Sequence, residues 1–377
     1  MTQTPVGETV LIETPDLREL APHEEAWRDL AARAAEPNAF AEADFLIPAL
    51  ARLAPRRVAL LLLWRDASKA RLIGVAAIEP PRLPLDLARV WRSEQAALAA
   101  LLIDRDATAE ALAAILAWVR RRGAAGLLLP FLPAQGPVAE AVAVIARRDA
   151  LSFTTLDPRR RAALPAGPGA HFEAGLDKKR RKEWARQRRR LEERGRLESG
   201  ALVSAGAADP FLALESLGWK GKRGGALAKD AARAAFTREM LQRFAARGAL
   251  IAAALTLDGA PIAIGLALQA GERVFYWKTA YDERLAGYSP GVLLTLDLSR
   301  RLERAPGVTL VDSCAAPNHP MIDRLWPARI TIADFAVAAD PAGARRFNFA
   351  IILIRLRKWT RERLKRAANR LLRRKAT

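Results

Sequence analysis

Apolar residues along this chain switch repeatedly between two periods. "TAEALAAILAWVRRRG" (108–123) places them three and four apart, which predicts a helix with Thr108 as N-cap and Gly123 as C-cap. "PVAEAVAVIARRDA", "KDAARAAFTREMLQRFAARG" and "SPGVLLTLDLSRRLERA" read the same way. Between them lie short runs that are apolar throughout or alternate. They are "RVALLLLWRD", "RLIGVAAIEP", "AGLLLPFLP", "LSFTTLDPR", "ALIAAALTLDG", "APIAIGLALQAG", "ERVFYWKTAYD" and "VTLVDSCA". Their length and their Gly, Pro and charged borders predict strands. "DASKA" and "LDGAP" predict hairpin turns. In "FYWKTAYD", alternation puts Phe275 and Trp277 on one face and Tyr276 and Lys278 on the other.

Helices and strands follow a similar order twice, in a chain long enough for two domains. The Pro-, Gly- and Ala-rich "RRRAALPAGPGAHF" (159–172) marks the break. The expected fold class is α/β, in an α+β arrangement with mixed central sheets. The expected division is a domain over 1–160, a linker over 161–171, a second domain over 172–340 and a tail over 341–377.

Charge sharpens this division. Residues 345–377 carry 13 Lys/Arg against one Glu, a net +12, and residues 178–194 carry 10 Lys/Arg against three Glu, a net +7. The rest of the chain is left with +1 of the total +20. A protein that coats nucleic acid more often spreads its basic residues over a folded face. The tail reads as a helix with Leu353, Leu356, Thr360, Leu364, Ala367 and Leu371 in a stripe between basic flanks. That is the pattern of a helix on an anionic membrane surface, with nucleic acid, or a tail docked on its own domain or solvated, as the alternatives. The start of the sequence shows no signal-peptide pattern, and the longest apolar runs fall short of the ~20 residues of a membrane span, so a cytoplasmic protein is expected. The single cysteine, Cys314, excludes an internal disulfide.

Three segments carry a family likeness: "LGWKGKRGGAL" (217–227), "FYWKTAYDERLAGYSPGVLL" (275–294) and "DSCAAPNHPMIDRLW" (312–326). Together with the basic "LDKKRRKEWARQRRRLEERG" they resemble the cellulose-biosynthesis-type acetyltransferases of the CelD/BcsL group, in the acyl-CoA N-acyltransferase (GNAT) superfamily. The resemblance covers roughly 172–340 and is weaker before that. It implies a GNAT-like fold in tandem, as in the related FemABX peptidyl transferases. It also implies acetyl-CoA (or another acyl-CoA) as co-substrate, and an acceptor that is a sugar, a polysaccharide precursor or an amine of envelope or exopolysaccharide synthesis. A FemABX-like use of aminoacyl-tRNA, or a scaffold without catalysis at the inner membrane surface, are the alternatives. The closely spaced glycines usual in the pyrophosphate loop are absent.

The residues give these expectations places. At "AGYSPGVLL", Ser289 is a suitable N-cap and Pro290 a suitable first helical residue. The N–H groups of Gly291, Val292 and Leu293 would then face a phosphate. Tyr288, Ser289, Gly291 and Val292 are the expected cofactor-binding residues, the alternative being a capped helix without ligand. Trp219 and Lys220 in "GWKGKRGG", with Lys278 and Tyr281, are the expected substrate contacts; a solvated loop and ordinary packing are the alternatives.

Acyl transfer also needs a base. Asp312, at the end of "VTLVD", and His319, in the loop beyond it, are the two candidates. Each has a plainer reading, Asp312 as a turn cap or ion-pair partner and His319 as a hydrogen-bonding turn residue. Cys314 as a nucleophile would need a depressed pKa, and no spacing of Cys and His supplies a zinc site, so no metal is expected.

Overall fold

The structure, a computed structural model, describes residues 10–83, 86–203, 206–218 and 224–374; in the last helix, side chains are described for 344–361, 363 and 364. The first half runs β1 (Leu11–Glu13), α1 (Glu24–Ala32), α2 (Ala43–Leu53), β2 (Ala59–Trp64), β3 (Leu72–Glu79), β4 (Ala88–Val90), β5 (Leu101–Ile103), α3 (Thr108–Arg121), β6 (Gly126–Pro133), α4 (Pro137–Arg148) and β7 (Phe153–Pro165). The second half runs α5 (Lys178–Glu192), β8 (Leu197–Ala201), α6 (Ala208–Leu217), α7 (Ala231–Ala246), β9 (Leu250–Leu257), β10 (Ala260–Ala270), β11 (Arg273–Tyr281), α8 (Pro290–Glu303), β12 (Leu310–Asp312), α9 (Ile322–Leu325) and β13 (Ala328–Ala338). α10 (Ala344–Arg374) closes it.

All described strands join one mixed sheet of 13, ordered β1-β2-β3-β4-β6-β13-β7-β12-β11-β10-β9-β8, with β5 on β3. The middle of that order is an exchange. β7 ends the first half but pairs with β12 of the second, while β13 ends the second half and pairs with β6 of the first. β7 and β13 pair with each other along most of their length. The strand β7 runs to Pro165, so residues 161–165 of the expected linker lie inside the sheet. Pro165 stands at the strand's end, where its missing N–H costs no interior ladder bond.

The two halves repeat local devices. Asp104 donates its backbone N–H to Ile73 of β3 and caps a 3-10 turn that leads into α3. Asp282 donates to Ile262 of β10 and caps the 3-10 turn that leads toward α8. A parallel pair flanks each helix: β4 with β6, and β11 with β12. The expected cap at Thr108 is corrected here. Thr108 is already helical and donates its hydroxyl to the Asp104 carbonyl, 3.0 Å away. The expected turn at "LDGAP" is a two-residue turn with both Asp258 and Gly259 at positive φ, which fits the twist of a hairpin.

The largest core cluster spans both halves. Phe40 meets Phe275 edge-on at 5.2 Å, and Phe45 meets both Phe40 and Phe236. Such pairs add about 0.5–1.5 kcal/mol each beyond burial. At its border Arg247 bridges Asp44 at 2.6 Å and also pairs with Glu42. These contacts fix the halves against each other.

α10 packs Phe347 and Ile351 on Leu128, Ala336 and Ala338 of the sheet, and Ala350 is also buried. The stripe expected from the sequence is displaced. Leu353 is partly buried, and the exposed apolar residues are Phe349, Ile352, Leu356, Trp359 and Leu364. Ala367 and Leu371 lie outside the described side chains. Among the described residues no helix is long and apolar enough to cross a membrane.

Candidate functional site

β11 and β12 run parallel only from Arg273↔Leu310 to Phe275↔Asp312. β12 then stops, while β11 continues to Tyr281. The fork so formed opens into a cleft of about 410 Å³ at the seam of the two halves. Trp277, Lys278 and the 314–317 loop form one wall; Arg161 of β7 forms the floor of the fork. Residues 92–97, between β4 and β5, come from the first half, with Phe131 of β6. The first half's interrupted strand therefore roofs the second half's fork. The roof is tied down: Trp277 Nε1 donates to the Gln95 carbonyl at 2.8 Å, and Arg161 donates to the Ala97 carbonyl at 3.1 Å.

Alternation alone misplaces Lys278. The pairing of β10 with β11 shifts register so that Leu266 faces Lys278 and Ala267 faces Tyr276, leaving Trp277 as an extra residue. The bulge sends both Trp277 and Lys278 toward the cleft, while Tyr276 packs on α8. Lys278 Nζ lies 5.0 Å from the Trp277 ring centre.

Asp312 is 3% exposed and sits behind Arg161 rather than on the cleft wall. It accepts from the Arg161 guanidinium, and its other oxygen accepts from the Cys314 N–H at 2.9 Å. The visible task of Asp312 is to hold Arg161. Arg161 is itself 5% exposed, and its Nε, like Gln95 Oε1, has no protein partner among the described residues. Two buried polar atoms thus stand open beside one cavity, where unmet hydrogen bonds cost about 1–3 kcal/mol each.

A second cationic group sits across the cleft. The guanidinium carbons of Arg92 and Arg159 each lie 4.1 Å from the Phe131 ring centre. Phe131 is held at φ 52°, a strained backbone for an aromatic residue. Its N–H donates to Asp334 at 2.9 Å, and Asp334 also takes two 3.0 Å bonds from Arg159. Burial, and then the neighbouring Arg159, pull the pKa of Arg92 below the ordinary guanidinium value. The sequence pattern gave no sign of Arg92, Gln95, Phe131, Arg159 or Arg161, which come from three separate stretches.

The loop after Asp312 carries Cys314 and His319. Burial, and then the Asp312 charge, push the Cys314 thiol well above its usual pKa, away from thiolate. His319 Nδ1 accepts from the N–H groups of Met321 and Ile322 at 3.4 and 3.3 Å, so it caps the start of α9. Among the described residues no cluster of three or more His, Cys, Asp or Glu is placed to hold a metal.

The start of α8 differs from its expected form. Ser289 has φ 53° and ψ 49°, and its side chain makes no capping bond. The Val292 and Leu293 N–H groups turn back to the Ser289 carbonyl at 2.9 and 3.1 Å. Gly291 is buried, and a Cβ on it would stand 3.3 Å from the Tyr281 ring. The glycine thus admits Tyr281, which lies on the face of β11 away from the cleft. Its N–H has no acceptor among the described residues. Cations gather beside this start instead. Arg194 donates to the Tyr288 hydroxyl at 3.2 Å and lowers its pKa, and Arg190 lies over the ring at 5.2 Å. Between α5 and α8 a groove of about 520 Å³ is lined by Lys178, Arg181, Lys182, Arg188 and Arg300. Trp219 and Lys220 lie outside the described residues.

Residues 178–319 match a protein-family model described as an acetyltransferase (GNAT) domain. No curated protein matches the chain. Among solved structures the chain is similar to the C-terminal domain of a candidate lysylphosphatidylglycerol synthetase from Agrobacterium fabrum. That likeness has a TM-score of 0.54 at 12% identity and covers 89% of this chain and 95% of the other. It is similar to a conserved protein of unknown function from Bacteroides thetaiotaomicron, with a TM-score of 0.53 at 10% identity, over 87% of this chain and 99% of that one. It is also similar to FemX, with a TM-score of 0.52 at 12% identity, over 86% of this chain and 96% of FemX. At these identities the likeness is one of fold. The fold is α/β, with all described strands in one mixed sheet and the acetyltransferase (GNAT) match confined to residues 178–319.

Proposed function

We propose that this chain is an acyl-group transferase whose reaction takes place in the seam cleft. The observation that carries the reading is the fork of β11 and β12, which opens onto buried Arg161 and onto Lys278. In the reaction the acceptor nitrogen or oxygen bonds to the acyl carbon of the donor, and the donor's sulfur or oxygen leaves with its electron pair. The acceptor's proton passes to solvent or to the leaving group. Negative charge grows on the acyl oxygen, and fixed donors in a water-poor cleft stabilise it. Arg161, with an open Nε, and Lys278 have that role in this reading. Asp312 is a positioning residue that orients Arg161, and His319 orders the loop below. Trp277 supplies an apolar wall for the acceptor, and Phe131 carries the Arg92 and Arg159 guanidiniums on its ring.

The donor we favour is acetyl-CoA or another acyl-CoA, by the likeness of residues 178–319 to acetyltransferase domains. The start of α8 offers one open N–H, that of Gly291, so charge on the CoA phosphates would be met mainly by Arg190, Arg194 and the cations of α5. Tyr288, Ser289 and Val292 would shape that end by packing and backbone. The same cations suit a second reading, an aminoacyl-tRNA donor, which the likeness to FemX supports. The acceptor would be a sugar, polysaccharide precursor or amine of the envelope. A link to cellulose or exopolysaccharide rests on the sequence resemblance alone.

Calorimetry with acetyl-CoA, and separately with a 3′-aminoacylated RNA helix, tests the donor. We expect binding of acetyl-CoA and none of the RNA; the reverse would transfer the reading to the second donor. In a transfer assay with the accepted donor, Lys278→Ala should lower kcat about tenfold to a hundredfold. Unchanged kcat would remove Lys278 from the site.

A further inference from the structure

We infer that α10 binds an anionic membrane surface through the stripe Phe349, Ile352, Leu356 and Trp359. These residues recur at spacings of three, four and three, and are 46, 59, 52 and 50% exposed. At about 100° per residue they fall on the side opposite Phe347, Ile351 and Ile354, which meet the sheet. The helix therefore has two apolar faces, and the sheet covers only one.

Charge selects the occupant. Arg355 borders the stripe on one side and Arg346 and Arg357 on the other, and residues 345–377 hold 13 Lys/Arg against one Glu. A second copy would bring two helices of like charge together, which opposes self-pairing. An RNA backbone would match the cations but leaves four large exposed apolar side chains unused. A lipid surface uses both: apolar residues enter the boundary between headgroups and acyl chains, and arginines remain among anionic headgroups. Trp359, with the Arg363 guanidinium 4.0 Å from its ring, has the amphipathic form suited to that boundary.

Flotation of the full chain with two kinds of vesicle tests this. One is phosphatidylcholine alone; the other is phosphatidylcholine with phosphatidylglycerol. We expect recovery with the mixed vesicles, little with the neutral ones, and a decline as salt is raised. The triple variant Ile352→Ser, Leu356→Ser and Trp359→Ala should bind the mixed vesicles at least about tenfold more weakly, with an unchanged circular dichroism spectrum. Three outcomes would overturn the inference. One is no recovery of the unaltered chain. Another is equal recovery of the triple variant, which would leave charge as the sole cause. The third is tight binding of tRNA by the unaltered chain together with no recovery on mixed vesicles.

Discussion

The starts of α3 and α8 occupy corresponding places in the two halves; Asp104 and Asp282 cap a 3-10 turn ahead of each, but the turns that follow differ. Ahead of α3, Asp104 is fully buried and accepts from Arg71, Arg33 and the Asp106 N–H. Burial works to raise its pKa, but those partners outweigh it and hold the carboxyl below its usual range. Ahead of α8 the 3-10 turn is six residues long instead of three, and it ends at Ser289, which caps nothing with its side chain. The strands diverge as well. The first half's strand is interrupted between β4 and β5, and the intervening residues cover the fork between β11 and β12. The first half has given up a continuous strand between β4 and β5. The other has kept an open fork. The difference teaches that two halves with similar turns need not form the same cleft; here residues of the first half roof the cleft of the second.

The comparison breaks first at the buried pair below the fork. Arg161→Met leaves Asp312 buried without its cation and should cost about 3–5 kcal/mol in denaturant unfolding. Adding Asp312→Asn should recover part of that loss. A double variant as unstable as the sum of the two singles would show that the two residues do not act as a pair. Next come the helix starts. Asp104→Ala should cost about 2–4 kcal/mol, because two guanidiniums and a backbone N–H lose their acceptor. Ser289→Ala should stay within about 0.5 kcal/mol of the parent. Similar losses at both positions would erase the contrast.

Glu36 gives a pH test. It is buried, and its carboxylate accepts only the Val138 N–H among its described partners, at the start of α4. Burial raises its pKa from 4.5 to about 7. The folded state therefore holds this proton through a window in which the unfolded chain has lost it. The stability from that proton is complete below pH 4.5 and is lost as pH rises toward 7. Glu36→Gln should remove that decline and be more stable than the parent by about 2–3 kcal/mol at pH 8, with little difference at pH 4. The same difference at both pH values would show that the carboxyl does not titrate in that way. The smallest effect is at the left-handed Ser289, where Ser289→Gly should add about 0.5 kcal/mol by relieving its backbone. A loss there would mean the serine side chain has a use not visible in its bonds.

Local patterns were the legible part of the sequence. The helices over 108–121, 137–148, 231–246 and 290–303 follow from apolar spacing, and the hairpin at 257–261 from its Asp-Gly turn. Asp312 was legible as a strand end beside a fork, but its partner Arg161 was not. Arg161 lies 151 residues away, in a segment rich enough in Pro and Gly to read as a linker. β13 was missed although Ile330, Ile332, Phe335 and Val337 hint at a strand, because Asp334 and its bulge break the alternation. The same cause misplaced Lys278: a bulge at Trp277 shifts every later residue by one, and period-two reading cannot register that. The cleft is assembled from segments far apart in the chain, so its cations gain meaning only after the exchange of β7 and β13.

The central claim is that acyl transfer belongs to the fork of the second half and not to the corresponding place in the first. A crystal structure of the chain with acetyl-CoA, or with an aminoacylated RNA helix if calorimetry favours that donor, tests it most directly. The account predicts the acyl carbon between Trp277, Lys278 and Arg161, beneath residues 92–97. Density for the acyl group between β4 and β6, or on a face away from the seam, would contradict it.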